Sequence, residues 1–107
     1  MSLNVYLTAV RPTCVYDANI THNLNRMAQE AGIYEIVWRP DEAGITTAYQ
    51  LIKPLAAGIA LLESDPERFK ALNPENGWGD YDGFVKWLKQ YLAACQLDQD
   101  AIIRVSR

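Results

Sequence analysis

His22 is the one side chain in this sequence whose unperturbed pKa lies near neutrality. Read as a helix, residues 19–31 carry it on a polar edge with Asn19, Asn23, Arg26 and Gln29. A general acid or base also needs an orienting acceptor, and Asp17 or Asp80 could serve. The alternative, preferred here, is a histidine making local hydrogen bonds in an N-terminal turn. A second cluster follows at Trp38 and Arg39, just before Pro40. An indole to stack and a guanidinium to hold a phosphate or carboxylate would suit a planar anionic ligand. Equally, a core tryptophan beside a surface arginine paired with Asp41 or Glu42 would leave the same trace. A third lies in NPENGWG (73–79), where Asn76 and Trp78 sit among turn residues. An indole between two glycines needs a pocket, or is exposed for a reason. Asparagine before glycine suits a tight turn with or without a function, and structure has the slight preference here.

Other chemistries find little footing. Ser2, Ser64 and Ser106 have no base beside them. Cys14 and His22 are the one imaginable nucleophile pair, but eight positions across an expected loop match no known arrangement. There is no phosphate-cradling glycine loop and no dinucleotide fingerprint. One histidine and two distant cysteines, Cys14 and Cys95, do not make a metal site, and no cofactor is expected. The cysteines read as buried free thiols. Asp80 and Asp82 look like a helix cap and a first-turn residue.

Several elements must position these groups. Leu3, Val5, Leu7 and Ala9 alternate with Asn4, Tyr6 and Thr8, the period of a half-buried strand. Arg11-Pro12 ends it, and a loop through Thr13, Cys14, Val15, Tyr16 and Asp17 leads to a helix capped by Asn19 and stopped by Gly32. Ile20, Leu24, Met27, Ala28 and Ala31 form its apolar face. Residues 33–38 suit a strand or a short helix, and a helical turn or two is preferred. Asp41 to Gly44 is a surface turn. Ala48, Leu51, Ile52, Leu55, Ile59 and Leu62 trace a long apolar helix face, with a kink or break expected near Lys53 because Pro54 lacks an amide donor. Gly58 adds local looseness there. Asp65-Pro66 starts a short helix reaching about Leu72. Asp80 caps the last helix, with Tyr81, Phe84, Val85, Leu88, Leu92 and Cys95 inward and Trp87 and Tyr91 flanking. Ala101 to Val105 reads as a strand that pairs with the N-terminal one, since alone it would leave its backbone unpaired. The fold expected is α+β and mostly helical: three or four helices on a two-stranded sheet made from the chain ends.

At 107 residues the chain is long enough for one core, so 1–107 is read as a single domain. Half its residues are hydrophobic and 21% are charged, a globular balance. A net charge of −3 argues against general nucleic-acid binding, which wants a basic stripe. No apolar run approaches the roughly 20 residues of a membrane span. MSLNVYLT lacks the basic start of a signal peptide, so a cytoplasmic setting is expected.

Several stretches resemble a group of small uncharacterised proteins of tailed bacteriophages and prophages. They are VYLT, NITHNL with MAQEAGIY, WRP, NPENGWG with YDGFVKWL, and the closing VSR, in the same order over almost the whole chain. The resemblance implies a phage-borne cytoplasmic accessory protein, with host takeover or defence evasion as its natural roles. The matching motifs contain Asn19, His22, Asn23, Trp38, Arg39, Asn76 and Trp78.

Two functions follow as expectations. The first is a non-enzymatic protein that binds a small polar or anionic ligand, or docks on a host or phage protein, through the His22 edge, Arg39 and the Asn76–Trp78 turn. The second is a small enzyme acting on a nucleotide or other phosphate ester, with His22 as acid/base and Arg26 or Arg39 holding the anion. A polar cavity joining His22, Arg39 and Asn76 would favour a ligand. An exposed apolar patch or a two-fold homodimer would favour an interaction protein.

Overall fold

The alternation in Leu3, Val5 and Leu7 is realised as strand β1, Ser2–Thr8, with those three side chains fully buried and the intervening ones partly exposed. The computed structural model describes residues 1–9 and 14–107. The expected strand end at Arg11-Pro12 lies outside the described residues, as does Thr13.

The next element corrects the sequence reading. Cys14–Thr21 is a strand, β2, where a loop and then a helix capped by Asn19 were expected. Tyr16, Ala18 and Ile20 pack on the core while Asp17 and Asn19 are exposed, a period of two. Ile20 and Leu24 stand four apart, which counterfeits a helical pair, but β1 offers β2 a complete antiparallel ladder from Ser2↔Thr21 to Leu7↔Tyr16. Pairing seven of the strand's eight residues with β1 outweighs a weak local preference. A register shift between Leu7 and Thr8 carries the ladder on to Cys14. Cys14 is exposed, against the expectation of two buried thiols, whereas Cys95 is buried and burial pushes its thiol pKa up to about 12.

Thr21 makes the cap foreseen for Asn19. Its hydroxyl accepts from the Asn23 amide at 3.2 Å and starts a 3-10 turn, His22–Leu24, that runs into α1, Asn25–Glu30. Gly32 stops it as expected, at φ +75°. Its amide donates to the Gln29 carbonyl, and that of Ile33 to the Ala28 carbonyl, the paired closure of a glycine-terminated helix. The ambiguous segment is helical, α2, Tyr34–Trp38.

Ala48–Ser64 forms one continuous helix, α3, with Pro54 inside it and no break at Lys53. Leu51, Leu55, Ile59 and Leu62 are buried along its whole length, so packing spans the missing hydrogen bond. Nor does Gly58 loosen this helix. It is buried, and a Cβ there would lie 2.0 Å from Ile33 Cγ2, so the glycine lets α3 pass close to the segment after α1.

The short α4, Pro66–Lys70, starts at Pro66 with Asp65 accepting from the Arg68 amide, and stops two residues before Leu72. Asp80 caps α5, Tyr81–Leu97, by accepting from the Gly83 amide at 2.7 Å. Trp87 and Tyr91, expected at the margin of α5, are buried, and Leu92 is only partly so. The last strand, β3, Ile102–Ser106, pairs antiparallel with β1 as Val5↔Val105, giving the order β2-β1-β3. The terminal strands therefore do pair, but among the described residues they do so within a three-stranded sheet, accompanied by five α-helices rather than three or four. The class is α+β. Leu3, Val5, Leu7 and Ile103 face the helices, and the other side of the sheet is uncovered by any described element. No helix among the described residues is long and apolar enough to cross a membrane.

Two buried donors on α5, Trp87 Nε1 and Tyr91 Oη, have no hydrogen-bond partner among the described residues. Tyr91 is fully buried and stacks on Tyr16 at 6.1 Å, and burial raises its pKa. An unpaired buried hydroxyl opposes folding, so Tyr91→Phe is expected to stabilise the protein by about 1 kcal/mol. Urea unfolding of the two proteins checks this; a loss of stability would reveal a partner for the hydroxyl.

Candidate functional site

The outer face of the sheet is built from the residues that alternation turns away from the core. Ladder pairing places Asn19 opposite Asn4, and Thr21 opposite Ser2. Asn19 Nδ2 donates to Ser2 Oγ and to Asn4 Oδ1, both at 2.7 Å. Where β2 ends, the Thr21 cap turns Asn23 outward, and Asn23 Nδ2 donates to Thr21 Oγ1 at 3.0 Å. Short polar side chains thus stand in a linked row.

The NPENGWG turn closes one end of that row. Asn76 Oδ1 accepts from the Trp78 amide at 2.9 Å, and Asn73 Oδ1 from the Tyr81 amide at 2.8 Å, which ties the turn to the start of α5. Gly77 and Gly79 both take positive φ, +76° and +101°. Gly79 lies so close to the 3-10 turn that a Cβ would stand 2.9 Å from Thr21 Cγ2 and 3.2 Å from Leu24 Cγ. The approach carries Trp78 beside the end of β2 with its side chain largely in solvent, 71% exposed. Between them runs an open groove of about 430 Å³ lined by Met1, Ser2, Asn19, Thr21, Asn23 and Trp78. Gly79→Ala is expected to destabilise the fold by about 2 kcal/mol, through strain at positive φ together with the clash at Thr21. Thermal unfolding reads the loss, and an unchanged melting temperature would mean the turn does not pack there.

His22 follows this row but faces Trp38. Its Nδ1 accepts from Trp38 Nε1 at 2.9 Å, so the neutral ring carries its own proton on Nε2. Burial lowers the His22 pKa, and the positive amino terminus nearby adds to the shift. The indole N–H aimed at Nδ1 acts in the same direction, because it opposes a second proton there. Neither carboxylate proposed to orient the imidazole bonds to it. Asp80 caps α5, and Asp17 stands opposite Tyr6 on the outer sheet face.

Trp38 offers no stacking surface to a ligand, which corrects the reading of Trp38 and Arg39 as an anion clamp. It is 1% exposed, stacked on Tyr34 at 5.7 Å and tilted against Phe84 at 6.2 Å. Arg39 forms an ion pair with Glu42 at 2.7 Å and donates to the Tyr34 hydroxyl at 3.3 Å, contacts that raise its pKa further. The core tryptophan and surface ion pair weighed as the alternative are what the fold contains. Arg107 completes the corner, donating to the Trp38 carbonyl at 3.1 Å and to Asp41 at 3.0 Å.

Of the residues singled out from sequence, Asn19, Asn23 and Trp78 line one groove. His22 and Trp38 form a bonded pair behind it. Asn76 shapes the turn, while Arg26 and Arg39 are not among the lining residues. Reading from sequence missed Ser2 and Thr21, which only the β1–β2 register brings beside Asn19; it also missed Arg107. Comparison with family models, curated proteins and solved structures found no match.

Proposed function

We propose that this chain is a non-catalytic binding protein whose contact site is the groove between the β2 end and the NGWG turn. The observation that carries this reading is Trp78, a large indole held mostly in solvent by two positive-φ glycines beside a row of amide and hydroxyl side chains. Left in water, so much apolar surface is more useful to a ligand than to the fold. The enzymatic alternative asks His22 to move protons with a carboxylate behind it, whereas Nδ1 is occupied by an indole donor. Its anion would need a guanidinium at the site: Arg39 is committed to Glu42, and Arg26, though exposed, is not among the residues lining the groove.

The resemblance to phage and prophage accessory proteins supports a role in host takeover or defence evasion within the bacterial cytoplasm, with the bound group belonging to a host or phage molecule. The test is a two-dimensional NMR screen of soluble metabolite mixtures. Binding at the proposed site shifts the Trp78 indole and the Asn19 and Asn23 side-chain amide signals and leaves those of Trp38 and Trp87 in place. Ligand-dependent shifts confined to other surfaces, or steady product formation that His22→Ala abolishes, would overturn the reading.

A further inference from the structure

The chemistry of the groove narrows what it accepts. No lining side chain carries a charge. A phosphate or carboxylate entering it would meet one positive group, the amino terminus of Met1, with no guanidinium or side-chain ammonium to clasp it and a net charge of −3 on the protein. A quaternary ammonium is equally ill served, since recognition there rests on several aromatic faces and the groove has one. A purely apolar ligand would strip water from two carboxamides and two hydroxyls without replacing their hydrogen bonds.

What remains is a neutral group with hydroxyls on its rim and an apolar face. Asn19 and Asn23 make their hydrogen bonds within the protein through Nδ2, which leaves each Oδ1 to accept from a ligand hydroxyl. The Ser2 and Thr21 oxygens accept from those amides, so their own O–H protons remain to be donated. Trp78 supplies a flat apolar wall at one end, suited to the C–H face of a sugar ring.

The groove is also continuous with a longer platform. Ladder pairing sets Asn19, Asn4 and Ser106 in one row across the sheet, and Asp17, Tyr6 and Arg104 in the next. The row nearest Trp78 is Thr21 and Ser2. Tyr6 thus stands two rows along β1 from Ser2, on the uncovered face. Residues two apart on a strand are about 7 Å apart, so the platform is longer than one sugar ring.

We infer that the groove and the adjoining sheet face bind a neutral oligosaccharide, with a terminal ring against Trp78 and the following rings lying over Asn4 and Tyr6. This deepens the binding reading above and rests on it. The experiment is NMR titration of the full chain with neutral gluco-, manno- and N-acetylglucosamine oligosaccharides, with adenosine and AMP in parallel. At least one oligosaccharide is expected to shift the Trp78 indole and the Asn19 and Asn23 amides. Trp78→Ala should weaken that binding by about tenfold or more with the melting temperature unchanged, while Trp78→Phe retains most of it. A Tyr6→Ala loss that grows with oligosaccharide length supports the platform.

Shifts at the same signals from adenosine or AMP but from no oligosaccharide would overturn the carbohydrate assignment and leave the groove as a binding site. If no member of the panel shifts them, the carbohydrate assignment fails. If a bound oligosaccharide leaves those signals unmoved, or binds Trp78→Ala undiminished, the groove itself fails as its site.

Discussion

Replacing Gly58 by alanine is expected to lower stability by about 2–3 kcal/mol net, although alanine is the better helix former by about 1 kcal/mol. The new Cβ would fall 2.0 Å from Ile33 Cγ2, well inside any real contact distance. Ile33 has little freedom to yield. It is β-branched, 2% exposed, and its own amide is bonded to Ala28 in the closure of α1. Relief must therefore come from moving α3 off the α1–α2 corner. For a chain of this length the loss corresponds to a fall of roughly 10–20 °C in melting temperature. Ile33→Ala is destabilising alone, as a large-to-small core change. In the double variant the methyl introduced at position 58 would occupy space vacated by the truncated Ile33 side chain. Its stability should exceed the sum of the single effects by about 1–3 kcal/mol. Strict additivity in that double-mutant cycle would mean the two residues do not touch.

Trp38→Phe should remove about 2 kcal/mol at neutral pH and change how stability depends on acidity. Phenylalanine can fill most of the site between Tyr34 and Phe84, but it has no N–H to give His22 Nδ1. That leaves a part-buried acceptor unpaired. In the wild-type protein the folded state holds the His22 pKa below its ordinary 6.5, through burial first and the amino terminus second. As pH falls through 6.5 the unfolded chain takes up a proton before the folded one. The His22 contribution is therefore complete above that pH and lost progressively below it, down through the folded pKa. Without the indole donor the folded pKa moves up toward the ordinary value, so less is lost on acidification. The stability gap between the two proteins should then narrow between about pH 7.5 and pH 5. Denaturant unfolding at several pH values measures the gap, and the His22 ring signals report the pKa directly. A folded pKa that stays put in Trp38→Phe would mean the indole bond has no bearing on the protonation of His22.

Much of this architecture was legible before any fold was known, because some signals are complete within a few residues. Asp65-Pro66 and Asp80 mark helix starts with groups that bond an amide three residues on, and Gly32 marks a stop through its own φ. The β1 alternation and the apolar stripe of α3 declared their periods in full. β2 was hidden because Ile20 and Leu24 also fit a helical spacing, and what decides the matter is pairing with β1, the element just before it, which the periodicity of a single segment does not record. A break at Pro54 was open to a local reading because that rule puts a number on the lost hydrogen bond but not on the core contacts that run along both halves of α3.

The groove divides the same way. Sequence alone determined that Asn19, Asn23 and Trp78 were polar or aromatic residues in want of an explanation, since a residue's chemistry belongs to the residue. Only tertiary structure decided that these three share a surface with Ser2 and Thr21, and that Trp38 and Arg39 do not join them. The physical reason is that strand register and the close packing of Gly79 on Thr21 are long-range contacts, satisfied by the whole chain at once. Burial sorted the two indoles: Trp38 was taken into the core with its N–H bonded to His22, and Trp78 was left in water.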